Sequence, residues 1–395
     1  MSTQAVDTQT GADTPGREIR LRDGLRYCFW VFLAVRVGLS VLSAAGSHLI
    51  PPLSPVQVVG WHVSPVTVGW HNLFVATERQ DALWFLKIAT SGYSPVGGSA
   101  AFFPLYPLAV RIVAWLPGIG PLGAALLISN AAFYGALVLL HGLTRLEFSD
   151  ETARTSVLFL AIFPTAFFFL APYTEAPFLL LSVAAFWFAR RDRWVAAAVV
   201  GALAALTRSV GILLVPALMV EAIMQWRQLG RPLAPRLTAA LNVADGPLLY
   251  LLYWNLKYHD AWAPLHAQGG WGRRWTFPTT TLWHALTSAN RFGSYWLVDA
   301  LVVGIVVVAV VAGVRMLRPS YLTYAGLSLL LPLTDPFPPR PLMSMPRFVV
   351  VIFPAFWVIG RAAARRRIPE ALVIGVFAAG WSLLAVLFIN WHYIF

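Results

Sequence analysis

Arg79-Gln80-Asp81-Ala82-Leu83-Trp84-Phe85-Leu86-Lys87-Ile88-Ala89, followed by Gly92-Tyr93 and by Ala101-Phe102-Phe103-Pro104-Leu105-Tyr106-Pro107, is the stretch on which the reading of this chain turns. It follows the first apolar run and sets one acidic residue, Asp81, into a loop at the edge of a bilayer. Aromatic and proline-rich sequence then returns the chain to the apolar phase. A lone carboxylate so placed is a candidate general base.

Composition places this loop in a membrane protein. Of the 395 residues 58% are hydrophobic and 12% charged, and the mean hydropathy is +0.68. Apolar runs of that extent have no aqueous surface to present, so a soluble globule is excluded and a polytopic all-α helix bundle is expected. The net charge of +12 does not point to nucleic acid, because the arginines sit in short clusters between apolar runs, as cytoplasmic loops require. Lysine occurs only at Lys87 and Lys257 among abundant Arg, Ala and Val, a composition that suggests a GC-rich bacterial genome and hence a bacterial inner membrane. The single cysteine, Cys28, lies inside the first run and reads as a small apolar residue; it excludes an intrachain disulfide.

The first sixteen residues are polar and are expected to be disordered, and residues 1–24 are expected to form a disordered cytoplasmic N-terminus ahead of one membrane domain over 25–395. The first span, about Leu25 to Ala45, follows Arg17, Arg20, Arg22 and Arg26, so the N-terminus is placed in the cytoplasm. Further runs cover about Pro121–Leu143, Ser156–Ala171, Ala176–Ala189, Trp194–Leu206, Gly211–Trp226, Leu237–Lys257, Tyr295–Leu317, Leu322–Leu333, Phe348–Ala363 and Ala371–Trp391. That makes about eleven spans. Phe102–Leu116, broken by Pro104, Pro107 and Arg111, reads as interfacial or re-entrant. With that segment not crossing, Arg145/Arg154, Arg190/Arg191/Arg193, Arg227/Arg231/Arg236, Arg315/Arg318 and Arg361/Arg365/Arg366/Arg367 all fall on the cytoplasmic side; if it crossed, the charge rule would fail at nearly every later turn.

The polar chemistry then gathers on the outer face. There lie the loop over 47–101 with Asp81, the turn Pro172-Tyr173-Thr174-Glu175, the turn Thr207-Arg208-Ser209, the long loop over 258–294, and Thr334–Arg347. Several spans hold about fourteen residues, too few for a core of roughly 30 Å, so a cavity open to the outer leaflet is expected. Arg208 and Arg347 break the charge rule by sitting outside at helix ends. Either a bound anion explains them, or each snorkels to headgroups or pairs with Asp335 or Glu175. For Asp81 the plain alternative is a helix cap or a pair with Arg79. Asp245, next to Gly246-Pro247 within an apolar run, marks either a buried pair or a cavity. His259, Asp260, His266 and His392 lack metal-ligand spacing, so no metal is expected. Trp254, Trp262, Trp271, Trp275 and Trp283 read mostly as an interfacial belt.

The quoted blocks resemble the signature of the PIG-V family, the second mannosyltransferases of glycosylphosphatidylinositol synthesis, and of bacterial relatives. Phe163-Pro164, Tyr173-Thr174-Glu175 and Leu206-Thr207-Arg208-Ser209-Val210-Gly211 are similar to its central segment, and Ser344-Met345-Pro346-Arg347-Phe348 to its late block. The blocks keep the family's order over roughly residues 75–365. Two positions depart: Gln80 stands where members usually carry Trp, and Trp84 where a polar residue, often His, is found.

The resemblance implies a GT-C membrane glycosyltransferase. It would take mannose from a polyprenyl-phosphate donor and transfer it, with inversion, to a hydroxyl of a lipid- or glycan-linked acceptor, without a cofactor. Arabinose or another polyprenyl-linked sugar would use the same machinery. Asp81 would be the catalytic base, Arg208 and Arg347 the donor-phosphate ligands, and Glu175, Tyr173, Tyr93 and Trp84 substrate-binding residues, with membrane lipids as the remaining partners. Two rival classes are weighed: a secondary transporter, which should show an internal repeat that is not found by inspection, and a lipid-binding scaffold or flippase, which has no need of Asp81.

Overall fold

The computed structural model describes residues 14–64, 72–269, 272–287, 295–337 and 339–394. Trp271 and the expected disorder of residues 1–13 lie outside the described residues. The described residues fold as helices joined by turns: α1 (Thr14–Leu49), α2 (Asn72–Val75), α3 (Asp81–Ser91), α4 (Leu105–Val113), α5 (Pro121–Glu147), α6 (Asp150–Ala161), α7 (Glu175–Arg190), α8 (Trp194–Thr207) and α9 (Leu214–Leu229). They continue as α10 (Leu233–Leu241), α11 (Asp245–Tyr258), α12 (Ala263–Gly269), α13 (Pro278–Thr287), α14 (Tyr295–Gly313), α15 (Pro319–Leu333), α16 (Met345–Val349), α17 (Phe353–Ala364) and α18 (Glu370–Ile389). α1 begins at Thr14, so residues 14–24 are helical where disorder was expected, the helix of the apolar run near Leu25 extending back through them.

Among the described residues five stretches are long and apolar enough to cross a bilayer: Arg22–Gly46, Pro121–Glu147, Ser209–Leu229, Tyr295–Gly313 and Glu370–Ile389, with the shorter Trp194–Thr207 beside them. Other apolar runs break for local reasons. The run Ser156–Ala171 ends its α-helix at Ala161 and passes Pro164 into a 3₁₀ turn at Ala166–Phe169, because proline removes a backbone donor and crowds the preceding turn. The run Leu237–Lys257 divides at a 3₁₀ turn over Asn242–Ala244. α4 has 9 residues, roughly 14 Å of helix, and cannot cross. It buries Tyr106 and Val110 and exposes Leu108 and Ile112, the pattern of a helix lying along an interface.

Helix ends show the expected stop and start chemistry. Ser149 caps α6 by accepting from the amide of Thr152, and Gly230 ends α9 in the left-handed region at φ 63°, where a side chain is disfavoured. α6 and α17 cross closely enough that a Cβ on Gly360 would stand 2.4 Å from Ser156 Oγ.

Two polar layers mark the ends of the bundle. At one end Arg190 Nε donates to Glu147 at 2.7 Å and Tyr321 donates to the same oxygen at 2.9 Å. Glu221, fully buried, lies 3.2 Å from Arg318 and accepts from Ser320 at 2.7 Å. Arg361 stacks over Phe148 and Arg154 over Tyr27, which brings the start of α1 and the loop after α17 to this same end. The loops grouped as cytoplasmic by charge thus meet one another. α7, 16 residues or roughly 24 Å long, runs from this layer at Arg190 to the other at Glu175.

Candidate active site

Asp81 opens α3, where a carboxylate favours the positive helix end. The residue before it, Gln80, stands at φ 52° and ψ −117°, a region that only glycine enters freely. Fully buried Arg79 holds this turn in place. Its Nε donates to the carbonyl of Ile389 at 2.7 Å, its Nη1 to the carbonyls of Glu78 at 2.9 Å and Val75 at 3.3 Å, and its guanidinium lies 4.5 Å from the Trp391 ring. Glu78 in turn accepts from Trp61 Nε1 at 2.8 Å. Asp81 therefore does not pair with Arg79, the plain alternative raised by their proximity in sequence; the buried guanidinium is saturated by carbonyls.

The partner of Asp81 comes from 266 residues away. Arg347 Nη1 donates to Asp81 Oδ2 at 2.5 Å. Its Nε lies 2.8 Å from Glu175 Oε1, and Arg208 Nη1 approaches the same oxygen to 2.5 Å. The result is an alternating chain, Asp81–Arg347–Glu175–Arg208, drawn from α3, α16, the start of α7 and the end of α8. Its exposure is graded: the Asp81 side chain is 35% accessible, Arg347 14%, Arg208 8% and Glu175 0%. Glu175 Oε2 has no hydrogen-bond partner among the described residues. Burial alone would favour loss of the Arg347 proton, but Asp81 and Glu175 outweigh it and hold the guanidinium well above its usual range.

Aromatic rings frame the cations. Arg347 lies 5.3 Å from the Tyr173 ring and 5.4 Å from Phe348, which Arg208 also faces at 5.2 Å. Burial and then the charge of Asp81 push the Tyr173 phenol up, so it stays protonated and donates to the carbonyl of Arg79 at 2.9 Å. The turn bearing Arg208 is possible because of Gly211: a Cβ there would sit 2.4 Å from the Cα of Ala205.

Of the residues singled out in the sequence, Asp81, Tyr173, Glu175, Arg208 and Arg347 converge. Arg208 and Arg347 meet on Glu175, so the convergence needed for a shared anion and the pairing with Glu175 are both present. Trp84 lies on α3 stacked on Phe102 at 5.5 Å, with Lys87 Nζ 5.2 Å from its ring. Tyr93 braces the returning strand of the loop: it donates to the carbonyl of Phe102 at 2.7 Å and packs on Tyr250, Tyr253 and Trp254. Asp245 departs from both readings offered for it. It is exposed at the first position of α11, because the break at Asn242–Ala244 turns a supposed span interior into a helix start. His266 meets Asp260 at 3.1 Å in an exposed loop, and among the described residues no group of three or more His, Cys, Asp or Glu is placed to hold a metal ion.

Sequence reasoning missed the supports. Arg340 grips buried Asp299 with two contacts of 2.6 Å and donates to the carbonyls of Tyr393 and Ile394 at 2.8 Å each. Its signal, an arginine in an outer loop with an aspartate inside the apolar run of α14, was available.

Residues 41–231 match the family described as Mannosyltransferase (PIG-V). Nearly half of the chain is thus similar to PIG-V mannosyltransferases. The match holds Asp81, Glu175 and Arg208, and Arg347 lies beyond it. The fold of the chain has solved counterparts. It is similar to ArnT from Cupriavidus metallidurans bound to undecaprenyl phosphate, with a TM-score of 0.53 at 13% identity over 93% of this chain and 77% of that one. ArnT in the apo state gives a TM-score of 0.53 at 14% identity over the same shares. No curated protein matches the chain. The protein is a multi-pass membrane glycosyltransferase.

Proposed function

We propose that this enzyme transfers mannose from a polyprenyl-phosphate-linked donor to a hydroxyl of a lipid- or glycan-linked acceptor, inverting the anomeric centre, on the extracytoplasmic face of a bacterial inner membrane. The observation that carries the reading is the chain Asp81–Arg347–Glu175–Arg208, a partly open carboxylate joined to two cations at one end of the bundle. A glycosyl phosphate already has a good leaving group, so the protein must orient the acceptor hydroxyl, take its proton, and neutralise the departing phosphate. Asp81, the most accessible member, receives that proton as the acceptor oxygen bonds to the anomeric carbon. The bond from that carbon to the phosphate oxygen breaks, and polyprenyl phosphate leaves toward Arg347 and Arg208. A single displacement of this kind needs one base and no second catalytic carboxylate. Glu175, with Oε2 unpartnered, is suited to accept from a sugar hydroxyl as well as to align the two arginines.

Another polyprenyl-linked sugar, such as arabinose, fits the same chemistry, and ArnT was captured with undecaprenyl phosphate, a carrier of the class required. Purified enzyme offered mannosyl and arabinosyl donors, with product glycolipids read by mass spectrometry, identifies the sugar. Asp81→Asn should reduce turnover by at least about 10²-fold while donor binding persists. Near-normal transfer by a folded Asp81→Asn protein would remove Asp81 from the reaction, and a chain that binds donor but transfers nothing even with Asp81 intact would favour a lipid-binding scaffold.

A further inference from the structure

Asp81 and Arg347 sit on two separate arms, and both arms hang from one short segment of backbone. The arm of Asp81 is tied through Arg79, whose Nε donates to the carbonyl of Ile389 at 2.7 Å, and through Gln80, whose Nε2 donates to the carbonyl of His392 at 3.2 Å. The arm of Arg347 is tied through Arg340, which donates to the next two carbonyls, Tyr393 and Ile394, at 2.8 Å each. The segment itself is held on other sides: Asn390 Nδ2 donates to the carbonyl of Gly46 at 2.9 Å, the amide of Leu53 donates to the carbonyl of Asn390 at 2.9 Å, and Tyr295 Oη lies 2.9 Å from His392 Nδ1. Trp391 packs with Val58 and Leu83.

We infer that the segment Ile389–Ile394 is a spacer that sets the separation of Asp81 and Arg347, with Arg79 and Arg340 as positioning residues for the reaction. Neither arginine touches Asp81 or Arg347. Arg79 gives its Nε to the segment and its Nη1 to the carbonyls of Val75 and Glu78 on its own arm, while Arg340 gives two donors to the segment and is aimed by Asp299 through two contacts of 2.6 Å. Carbonyls are fixed to the chain in a way that side chains are not, so a forked donor on two successive carbonyls fixes both distance and angle. The side chain of Tyr393, 47% exposed, adds nothing to this geometry. The two turns that lead into the pair, Gln80 at φ 52° and Ser344 at φ 70°, are held in a disfavoured region by these outside ties.

The inference rests on the proposed reaction only for its effect on turnover; the coupling of the two arms is a separate, structural claim. The test uses the full chain in detergent or nanodiscs. Arg340→Lys should lower kcat by about 10- to 100-fold with little change in donor KM, since small misplacement of a reacting group has effects of that size. A point charge does not restore a fork, so Lys is expected to rescue little relative to Gln. Because removing one member of a buried ion pair is often damaging, the double variant Arg340→Met with Asp299→Leu replaces both by apolar side chains and keeps the fold testable. In that folded double variant, amides 78–83 on the opposite arm should exchange with deuterium at least about fivefold faster, an opening of a local unit that Arg340 does not itself contact. Unchanged exchange at 78–83 would overturn the coupling whatever happens to turnover, and unchanged kcat in the same folded protein would overturn the positioning role. Failure of the proposed reaction shows differently: Asp81→Asn would then be active while the exchange result stands.

Discussion

Arg347 is the residue on which most of the site depends. It touches Asp81 and Glu175 at once and faces three aromatic rings, so its planar fork is used on two axes. A charge-assisted contact of this kind contributes on the order of 1.5–3 kcal/mol. Arg347→Ala should weaken donor binding by about tenfold or more and acceptor binding less, and Arg347→Lys should recover only part of the loss. Isothermal titration with a non-transferable donor analogue measures this, and full recovery with Lys would show that charge alone is needed. At this scale much was legible in the sequence: Asp81, Glu175, Arg208 and Arg347 lie in blocks with a family resemblance, and Arg208 and Arg347 also violate the charge rule. Arg79 was legible only as a neighbour of Asp81. Its real contact, the carbonyl of Ile389, lies 310 residues away, and no local pattern encodes a side chain's choice of a remote carbonyl.

Among the elements, the α8–α9 connection is the one whose geometry the site cannot relax. Gly211 folds back on α8 so closely that a methyl group would strike backbone, the Cα and N of Ala205 at 2.4 and 2.6 Å. Gly211→Ala should therefore cost about 1–3 kcal/mol by overpacking and displace Arg208, lowering both the melting temperature and donor affinity. Gly304, inside α14 with nothing within 4 Å of its would-be Cβ, is the contrast: Gly304→Ala should be neutral or stabilise by up to about 1 kcal/mol through helix propensity. Equal effects at the two positions in thermal unfolding would discard the close-approach argument. Hydropathy located the long helices well, because apolar length is a property of one segment. It misjudged the run with Pro164 and the interior placement of Asp245, because a helix break depends on what packs against it.

For the molecule as a whole, the loops that carry Arg190 and Arg318 meet at one end of α7 and those that carry Asp81, Arg208 and Arg347 at the other, and labelling fixes which end faces outward. Val96 is 78% exposed. With native Cys28 fully buried, Val96→Cys should react with an impermeant maleimide on intact cells and Arg365→Cys should not. The reverse pattern would invert the map. Interfacial α4 and the returning loop were legible from Pro104, Pro107 and Arg111, since those residues forbid a clean span.

The chain is strongly basic at +12, yet the four charged groups of the site cancel: two carboxylates and two guanidiniums in alternation. A site of this kind is its own counter-ion, with each charge compensated where an unpaired one would be costly. On the proposed reading an incoming phosphodiester would displace a carboxylate from an arginine instead of filling an unpaired cation, so donor capture would be an exchange whose net free energy is the difference between two similar contacts. Modest donor affinity and ready escape of the spent carrier would follow from that symmetry. Glu175→Gln, which leaves one positive charge uncompensated, should bind polyprenyl phosphate more tightly than the native protein and turn over more slowly, held back by its own product; weaker binding of the carrier by that variant would show that Glu175 serves the ligand more than it competes with it.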